Sequence, residues 1–474
     1  MNDIQYDFGM VGLGVMGRNL LLNMADHGFA VAGLDLDPLK AAALGIEADK
    51  GKLVKGTTSA QEFISALTKP RALMLLVPAG KAVDGAIASL LPFLEPGDIV
   101  IDGGNSYFPD TDRRVLTLAG QGIHFFGMGI SGGEKGARFG PSMMPGGDRM
   151  AYERLRPIFE AVAAKVNGEP CVAFLGNGSA GNYVKMVHNG IEYGIMQLIA
   201  ETYDLLKRGL GRSDDELQRI FQEWNGSELH SYLIEITAEI LQKTDEVTGQ
   251  RLVHVILDQA RAKGTGKWTS QNAMDLQVPL PTIDMAVSMR DMSAYKAERV
   301  QAAQFLKTTM PDASPDQDWY VVESQLRNAF YFAMLTTYAQ GLVQLRVASL
   351  TYNYELELAE VAKIWRGGCI IRAACLEDIR QAYATQPDLP NLLLDPNLGQ
   401  QLLQREKDIR SVIKIAVDKG IPVPAFMTAL AYFDAYRSET LPMNLIQAQR
   451  DYFGAHTYER IDQVGIFHTQ WNLD

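Results

Sequence analysis

Lys185, His188, Asn189 and Glu192 stand at i, i+3, i+4 and i+7 of a helical pattern that begins near Asn182 and runs to Leu206. That spacing puts all four on one helical face. Val184, Met186, Val187, Ile191, Ile195, Leu198 and Ile199 surround them. A solvated polar face scatters lysines and glutamates; this one holds a histidine, an asparagine and two glycines, Gly190 and Gly194. Glycine costs about 1 kcal/mol relative to alanine inside a helix, so close neighbours are predicted at both positions. The set suits oxidation of a β-hydroxy acid. Taking hydride from a secondary alcohol needs a base for the hydroxyl proton, and a lysine with a pKa lowered by burial or a nearby cation serves. The β-keto acid so formed loses CO2 once its carbonyl is polarised, which a protonated lysine does without metal. The enediol left behind needs a proton on carbon, and Glu192, two turns along, is placed to deliver it.

The helix that must carry these groups has a weak echo. HNGIEYGIMQLIAETYDLL from His188 matches RNAFYFAMLTTYAQGLVQL from Arg327 at constant offset, setting Asn189 on Asn328, Gly190 on Ala329, Gly194 on Ala333 and Ala200 on Ala339. Trp224-Asn225-Gly226 is echoed by Trp365-Arg366-Gly367 with a small shift. A duplicated helical unit is the reading. In the second copy Ser324, Arg327 and Tyr331 replace Lys185, His188 and Glu192. The fold does without those three, so their presence in the first copy points to function. Helical periodicity persists to about Arg437, predicting an all-α domain over residues 180–437. From Ser438 the chain carries LPMNLIQAQRDYFGAHTYER without clear helical periodicity and reads as a tail, 438–474, that packs on something else.

Residues 1–179 alternate short apolar runs (FGMVGL, VAGLDL, ALMLLV, DIVIDGG) with helical stretches, the pattern of a Rossmann-like parallel sheet built from βαβ units. Gly12-Leu13-Gly14-Val15-Met16-Gly17 follows the first run and opens a helix. Such a turn brings backbone amides close to a pyrophosphate at a helix N-terminus. The second run ends in Asp35, where a ribose-binding acid belongs. A net charge of -12 argues against nucleic acid or an anionic membrane as partner, so an anionic substrate needs a local basic cluster. Cys171, Cys369 and Cys375 have no ligand spacing and read as small buried hydrophobes, with no metal site. No apolar run reaches the roughly 20 residues of a bilayer span, and the N-terminus lacks a signal-peptide pattern, so a cytoplasmic protein is expected.

GLGVMGRNLLLNMADHGF, DGGNS, ISGGEKGARFGPSMMPGG, VKMVHNGIEYG, KGTGKWT and LIQAQRDYFGAHTYE occur in an order that resembles the 6-phosphogluconate dehydrogenase family over essentially the whole chain. The resemblance implies that 6-phosphogluconate is oxidised and decarboxylated by a nicotinamide dinucleotide, with Lys185 as general base and Glu192 as general acid. It implies that Asn105, Ser131, Gly132, Gly133, His188 and Asn189 hold the sugar-acid end. Tyr193, Lys263, Thr265, Arg290, Arg450 and His456 would grip the phosphate, the last two from a tail that reaches the partner subunit of a homodimer. For the cofactor it implies Gly12, Gly14, Val15, Met16, Gly17, Asp35, Leu36, Val77 and Asn105. By itself, KGTGKW is a basic Gly-rich loop and no Walker A motif, because Arg261 occupies the place of the first glycine.

Departures from the family pattern are local. A histidine is usual near Asn182 and a polar residue where this chain has Ile195. After the second strand the family usually carries Asn-Arg-Thr, whose arginine meets the 2'-phosphate of NADP; this chain reads Asp35-Leu36-Asp37, and Pro78 replaces a frequent lysine. The expectation is therefore NAD in preference to NADP, with NADP possible. Shorter β-hydroxy acid dehydrogenases share the glycine motif but lack the duplicated unit and tail, and a non-catalytic dinucleotide sensor has no use for both Lys185 and Glu192.

Overall fold

The computed structural model describes residues 4–306 and 319–471. The strands β1 (Phe8–Val11), β2 (Val31–Leu34), β3 (Val54–Thr57), β4 (Ala72–Leu75), β5 (Ile99–Asp102), β6 (His124–Ser131) and β7 (Ser142–Gly146) form one sheet ordered β3-β2-β1-β4-β5-β6-β7. All neighbours are parallel except β7, which pairs antiparallel with β6. Every residue of β1, β2, β4 and β5 is buried, which explains why these runs are apolar instead of alternating, apart from Asp102 at the end of β5. Phe8, Met10 and Met74 face a core with Phe126 and Phe159 on one side. Val11, Leu73 and Leu75 face Phe63 and Val100 on the other.

Successive crossovers leave β1 in opposite directions toward β2 and β4, which opens a crevice beyond the carboxyl ends of these strands. The glycine motif sits there. Gly12 has φ +95°, and a Cβ on it would lie 2.6 Å from Leu76 O. A Cβ on Gly17 would lie 1.9 Å from Gly12 O, so the helix Val15–Asp26 starts hard against the turn.

The helix Ala180–Asp204 lies directly on the sheet. Two glycines of one β6 face permit this: a Cβ on Gly127 would fall 1.8 Å from Asn182 Oδ1, and one on Gly129 would fall 2.3 Å from Lys185 Cβ. On its other sides the helix meets Thr265–Asp275, Pro281–Ala294 and the long helix Trp319–Tyr352. The predicted close approaches occur: Thr269 Cγ2 stands 2.5 Å from where a Gly190 Cβ would be, and Thr337 Cγ2 stands 2.6 Å from that of Gly194. The two repeat copies pack across each other. Trp224 of the first lies 5.7 Å from Phe330 on the second copy's helix, and Trp365 of the second lies 5.6 Å from His188 on the first copy's helix. The sheet edge is also stitched to the second copy, because Ser142 donates from its amide to Gly368 O (2.8 Å) and from its hydroxyl to Ile364 O (2.7 Å).

The described residues up to Ala429 form one compact unit and those from Leu430 a second. The second contains a helix, Met443–Gly454, where the sequence shows no clear helical periodicity. Its apolar residues Leu445, Ile446, Tyr452 and Phe453 are exposed, so no buried stripe marks it. Asp451, fully buried, organises it instead, accepting from Thr457 N, Thr469 N, His468 Nδ1 and Trp471 Nε1. Among the described residues no helix is long and apolar enough to cross a membrane.

The glycine-lined crossing is testable. Gly129→Ala should destabilise the protein by about 1–3 kcal/mol, seen as a lower urea midpoint, because the new methyl meets the Lys185 stem. Gly85→Ala, inside the helix Lys81–Leu90 with nothing within 4 Å of the missing Cβ, should be neutral or stabilise by up to about 1 kcal/mol. Equal midpoints for the two variants would refute the close-contact explanation.

Candidate active site

Lys185, His188 and Asn189 are all buried on the sheet-facing side of their helix, and Glu192 is partly enclosed at its far end. Lys185 Nζ lies 3.4 Å from His188 Nδ1, which also faces Asn189 Oδ1 at 3.1 Å and Glu192 Oε2 at 3.9 Å. His188 Nε2 faces Ser131 Oγ at 3.3 Å. The one-face placement read from the spacing is thus realised as a connected polar chain. Burial pushes the Lys185 ammonium below the ordinary lysine value, against the opposing pull of Glu192 and Cys369. Burial, then the Lys185 charge, holds His188 well below its usual value, so the imidazole is neutral. Burial raises the Glu192 carboxyl, opposed by Lys185 and Arg290. A lysine moved toward its neutral form beside a carboxyl moved toward its protonated form is an arrangement for a base and an acid.

Ser131 closes β6, and Gly132 and Gly133 follow at φ +125° and +61°, turning the chain toward the second repeat copy. There Ile370 N donates to Ser131 Oγ (3.3 Å), and a Cβ on Gly132 would lie 2.6 Å from Gly368 O. The other two cysteines, Cys171 and Cys375, are buried like Cys369, whose thiol donates to Trp365 O at 3.1 Å. Gly368 and Ile370, and the place of Trp365 at the site, escaped the sequence reading. The echo of Trp224-Asn225-Gly226 marked the segment as part of the repeat, while its position against the first copy's helix is a tertiary fact.

A cleft of about 720 Å3 opens at the sheet's crevice, lined by Met16, Val77, Gly104, Asn105, Lys263 and Trp268 among others; Lys185, His188 and Glu192 are not in its lining. On its dinucleotide side, nothing lies within 4 Å of where a Gly14 Cβ would be, and the helix after it has no side-chain cap and no acid in its first turn. Open space before uncapped amides fits a pyrophosphate. Asp35 accepts from Leu13 N (2.8 Å) and Asp37 N (2.9 Å), so it also tethers the glycine turn, while Leu36 is 92% exposed. Arg114, a second residue absent from the sequence reading, is buried and bonds Asp102 (3.2 Å), Asp84 (2.8 Å) and Gly80 O (3.1 Å), tying two walls of the cleft together.

Thr265 begins the helix Thr265–Asp275, whose N-cap Gly264 (φ +102°) offers no side chain, and Lys263 precedes it in the loop. A Cβ on Gly266 would lie 2.5 Å from the Tyr193 ring, and the Arg290 guanidinium covers that ring at 3.4 Å. Tyr193, Thr265, Lys263 and Arg290 thus gather around one uncapped helix N-terminus. Arg450 lies on the second unit's helix, bonded to Gln447 (3.0 Å), and His456 follows it beside Phe453. Among the described residues no three His, Cys, Asp or Glu side chains stand together as a metal site.

Residues 7–176 match the NAD-binding domain of 6-phosphogluconate dehydrogenase, and residues 181–471 match the C-terminal domain of 6-phosphogluconate dehydrogenase. The chain is 54% identical over 465 residues to the NADP(+)-dependent decarboxylating 6-phosphogluconate dehydrogenase of Bacillus subtilis, covering 98% of each chain. It is 51% identical over 464 residues to the decarboxylating enzyme of Escherichia coli K12, again covering 98% of each. The Plasmodium falciparum 6-phosphogluconate dehydrogenase, solved in its apo form, with NADP+ and with 6-phosphogluconate, superposes with a TM-score of 0.95 at 43% identity, covering 98% of this chain and 100% of that one.

A buried lysine with a lowered pKa burdens the fold. Between its folded value and the unfolded 10.5 the unfolded chain binds the extra proton, so the penalty is full below the folded value and fades as pH rises toward 10.5. Lys185→Met should therefore melt higher than the wild type at pH 7, by roughly 2–4 °C for about 1 kcal/mol. The gap should narrow at pH 10, and a lower melting temperature at pH 7 would contradict this account.

Proposed function

The chain belongs to the 6-phosphogluconate dehydrogenase family, and on that premise we propose that it converts 6-phosphogluconate to ribulose 5-phosphate and CO2. The observation that carries the reading is the buried Lys185 with His188 and Glu192 on one helical face. Neutral Lys185 takes the proton from the substrate hydroxyl as hydride leaves the same carbon. The bound dinucleotide supplies the hydride acceptor. Lys185, now protonated, polarises the new ketone while the β-carboxylate departs as CO2, and Glu192 delivers a proton to the carbon of the enediol. Neutral His188, with Asn189 and Ser131, orients the sugar-acid end by hydrogen bonds. Lys263, Thr265, Arg290 and Tyr193 form the phosphate end, where an uncapped helix N-terminus and four donor side chains suit a dianion.

For the cofactor, main-chain groups of Gly12, Gly14, Val15, Met16 and Gly17 would meet the pyrophosphate, Asp35 the ribose, and Val77 and Asn105 the nicotinamide side. NAD is the preferred partner in this reading. Leu36 has no donor for a 2'-phosphate, Lys40 stands 4.0 Å from both Asp35 and Asp37, and Arg18 pairs with Glu47 at 3.1 Å. These two cations are thus already matched by acids. One missing charge-assisted contact is worth roughly 1.5–3 kcal/mol, or about ten- to more than a hundredfold in affinity. The Bacillus subtilis relative is named as NADP(+)-dependent, so the preference belongs to this chain's own residues.

The assembly in this reading is a homodimer in which the second unit, with Arg450 and His456, completes the partner's phosphate site. The exposed Leu445, Ile446, Tyr452 and Phe453 give that unit an apolar face to cover.

Assay of 6-phosphogluconate with each dinucleotide, with and without chelator, tests the reading directly. Turnover should survive chelation; loss restored by a divalent ion would sink the metal-free mechanism. Lys185→Ala should abolish hydride transfer, and Glu192→Ala should chiefly slow the later protonation. The kcat/KM with NAD should exceed that with NADP, and Leu36→Arg should move the ratio toward NADP by about tenfold or more. Equal or better efficiency with NADP in the wild type overturns the preference. Mixed Arg450→Ala and Lys185→Ala proteins should regain activity through hybrid dimers, and subunit exchange without recovery would refute the shared site.

A further inference from the structure

The loop that brings Asn105 into the cleft is held from two directions. Arg114 holds its ends through Asp102 and Ser106. The middle is held by Asn182, 2% exposed, on the catalytic helix one turn before Lys185. Its Nδ2 donates to Gly104 O (3.2 Å), and its Oδ1 accepts from the Thr111 hydroxyl (2.9 Å). Gly104 O can only accept, so the amide nitrogen must face it and Oδ1 must face Thr111. Thr111 is fully buried, and the bare Gly127 makes the room that Oδ1 occupies. The Asn182 side chain thus has one partner on each side and little space to rotate.

We propose that Asn182 is a positioning residue that locks the Asn105 loop to the catalytic helix, so that the cofactor wall of the cleft and the base are held as one unit. The proposal rests on the reading above in which Asn105 meets both ligands. It gives a local account of the asparagine: a short amide supplies donor and acceptor at once, to Gly104 and Thr111. Lys185 keeps its own surroundings in this scheme. Disturbing Asn182 should therefore move ligand binding and leave the titration of the base alone.

The test uses the full-length protein. Asn182→Ala removes both buried hydrogen bonds and should raise KM for 6-phosphogluconate and for the dinucleotide by about tenfold or more, since the partners are left unpaired. The dinucleotide Kd, read by tryptophan fluorescence without turnover, should rise by the same factor, and the limbs of the kcat–pH profile should stay where they are. A lower melting temperature with unchanged KM and Kd would reduce Asn182 to a packing residue and overturn the proposal. A displaced pH profile would show that it acts through Lys185, which also overturns it. If Asn182→Ala does not fold, Thr111→Val leaves the Gly104 bond but frees the amide, and should raise the same constants about threefold; no rise refutes the idea. A wild-type protein that fails to turn over 6-phosphogluconate would remove the proposed function, and the Kd comparison would still decide this proposal.

Discussion

The site depends on one steric condition, that a helix lies bare against a strand. Gly127 and Gly129 on one face of β6 remove the two side chains that would hold the helix Ala180–Asp204 away from the sheet. Burial of Lys185, and with it the lowered pKa, follows from that distance. So do the reach of Asn182 to the Gly104 loop and the meeting of His188 with Ser131 at the strand's end. Hydrophobic burial could have been achieved with a helix one side-chain layer further out. The polar chain could not, since its bonds span roughly 3 Å and tolerate little displacement.

Much of this was legible in the residues. The short apolar runs of β1, β2, β4 and β5, alternating with helical stretches, announced a parallel sheet of βαβ units. The four-residue stripe from Lys185 to Glu192 was legible because helical spacing alone fixes a common face. What stayed hidden is tertiary in origin. Arg114 reads as one of several charges on an amphipathic helix, and only the fold directs it inward to Asp102. Ile370 acts through its main-chain amide, which no side-chain pattern encodes. The helix Met443–Gly454 was missed because its exposed apolar residues follow no buried face, and its anchor is a single acid, Asp451. Asp35 was read as a ribose acceptor; the structure adds that one of its oxygens holds the glycine turn through Leu13 N while the other accepts from Asp37 N in its own loop.

The duplicated helical unit acquires a physical meaning once the copies are seen to pack across each other. Trp224 rests on the second copy's helix and Trp365 on the first copy's, so each copy supplies the aromatic wall of the other. One copy kept the reactive side chains. The other supplies support, through Trp365, Gly368 and Ile370 around the histidine and the Ser131 turn. A buried polar chain needs every member satisfied, and this division lets one helix carry the chemistry while its counterpart carries the constraint.

The stitching of Ser142 to Ile364 and Gly368 bears on the order in which the chain is made. The antiparallel edge strand β7 is covered in part within its own half, where Met143 N donates to Cys171 O and Leu175 N to Pro145 O, but the partners of Ser142 lie more than 200 positions later. An open edge is a template for pairing with other chains. The segment 171–175 shields part of that edge early, and its Ser142 end waits for the second repeat to emerge and dock. Contacts of such sequence separation slow folding as well. The same bonds that steady the finished site make this fold one whose amino-terminal half waits for its carboxyl-terminal half.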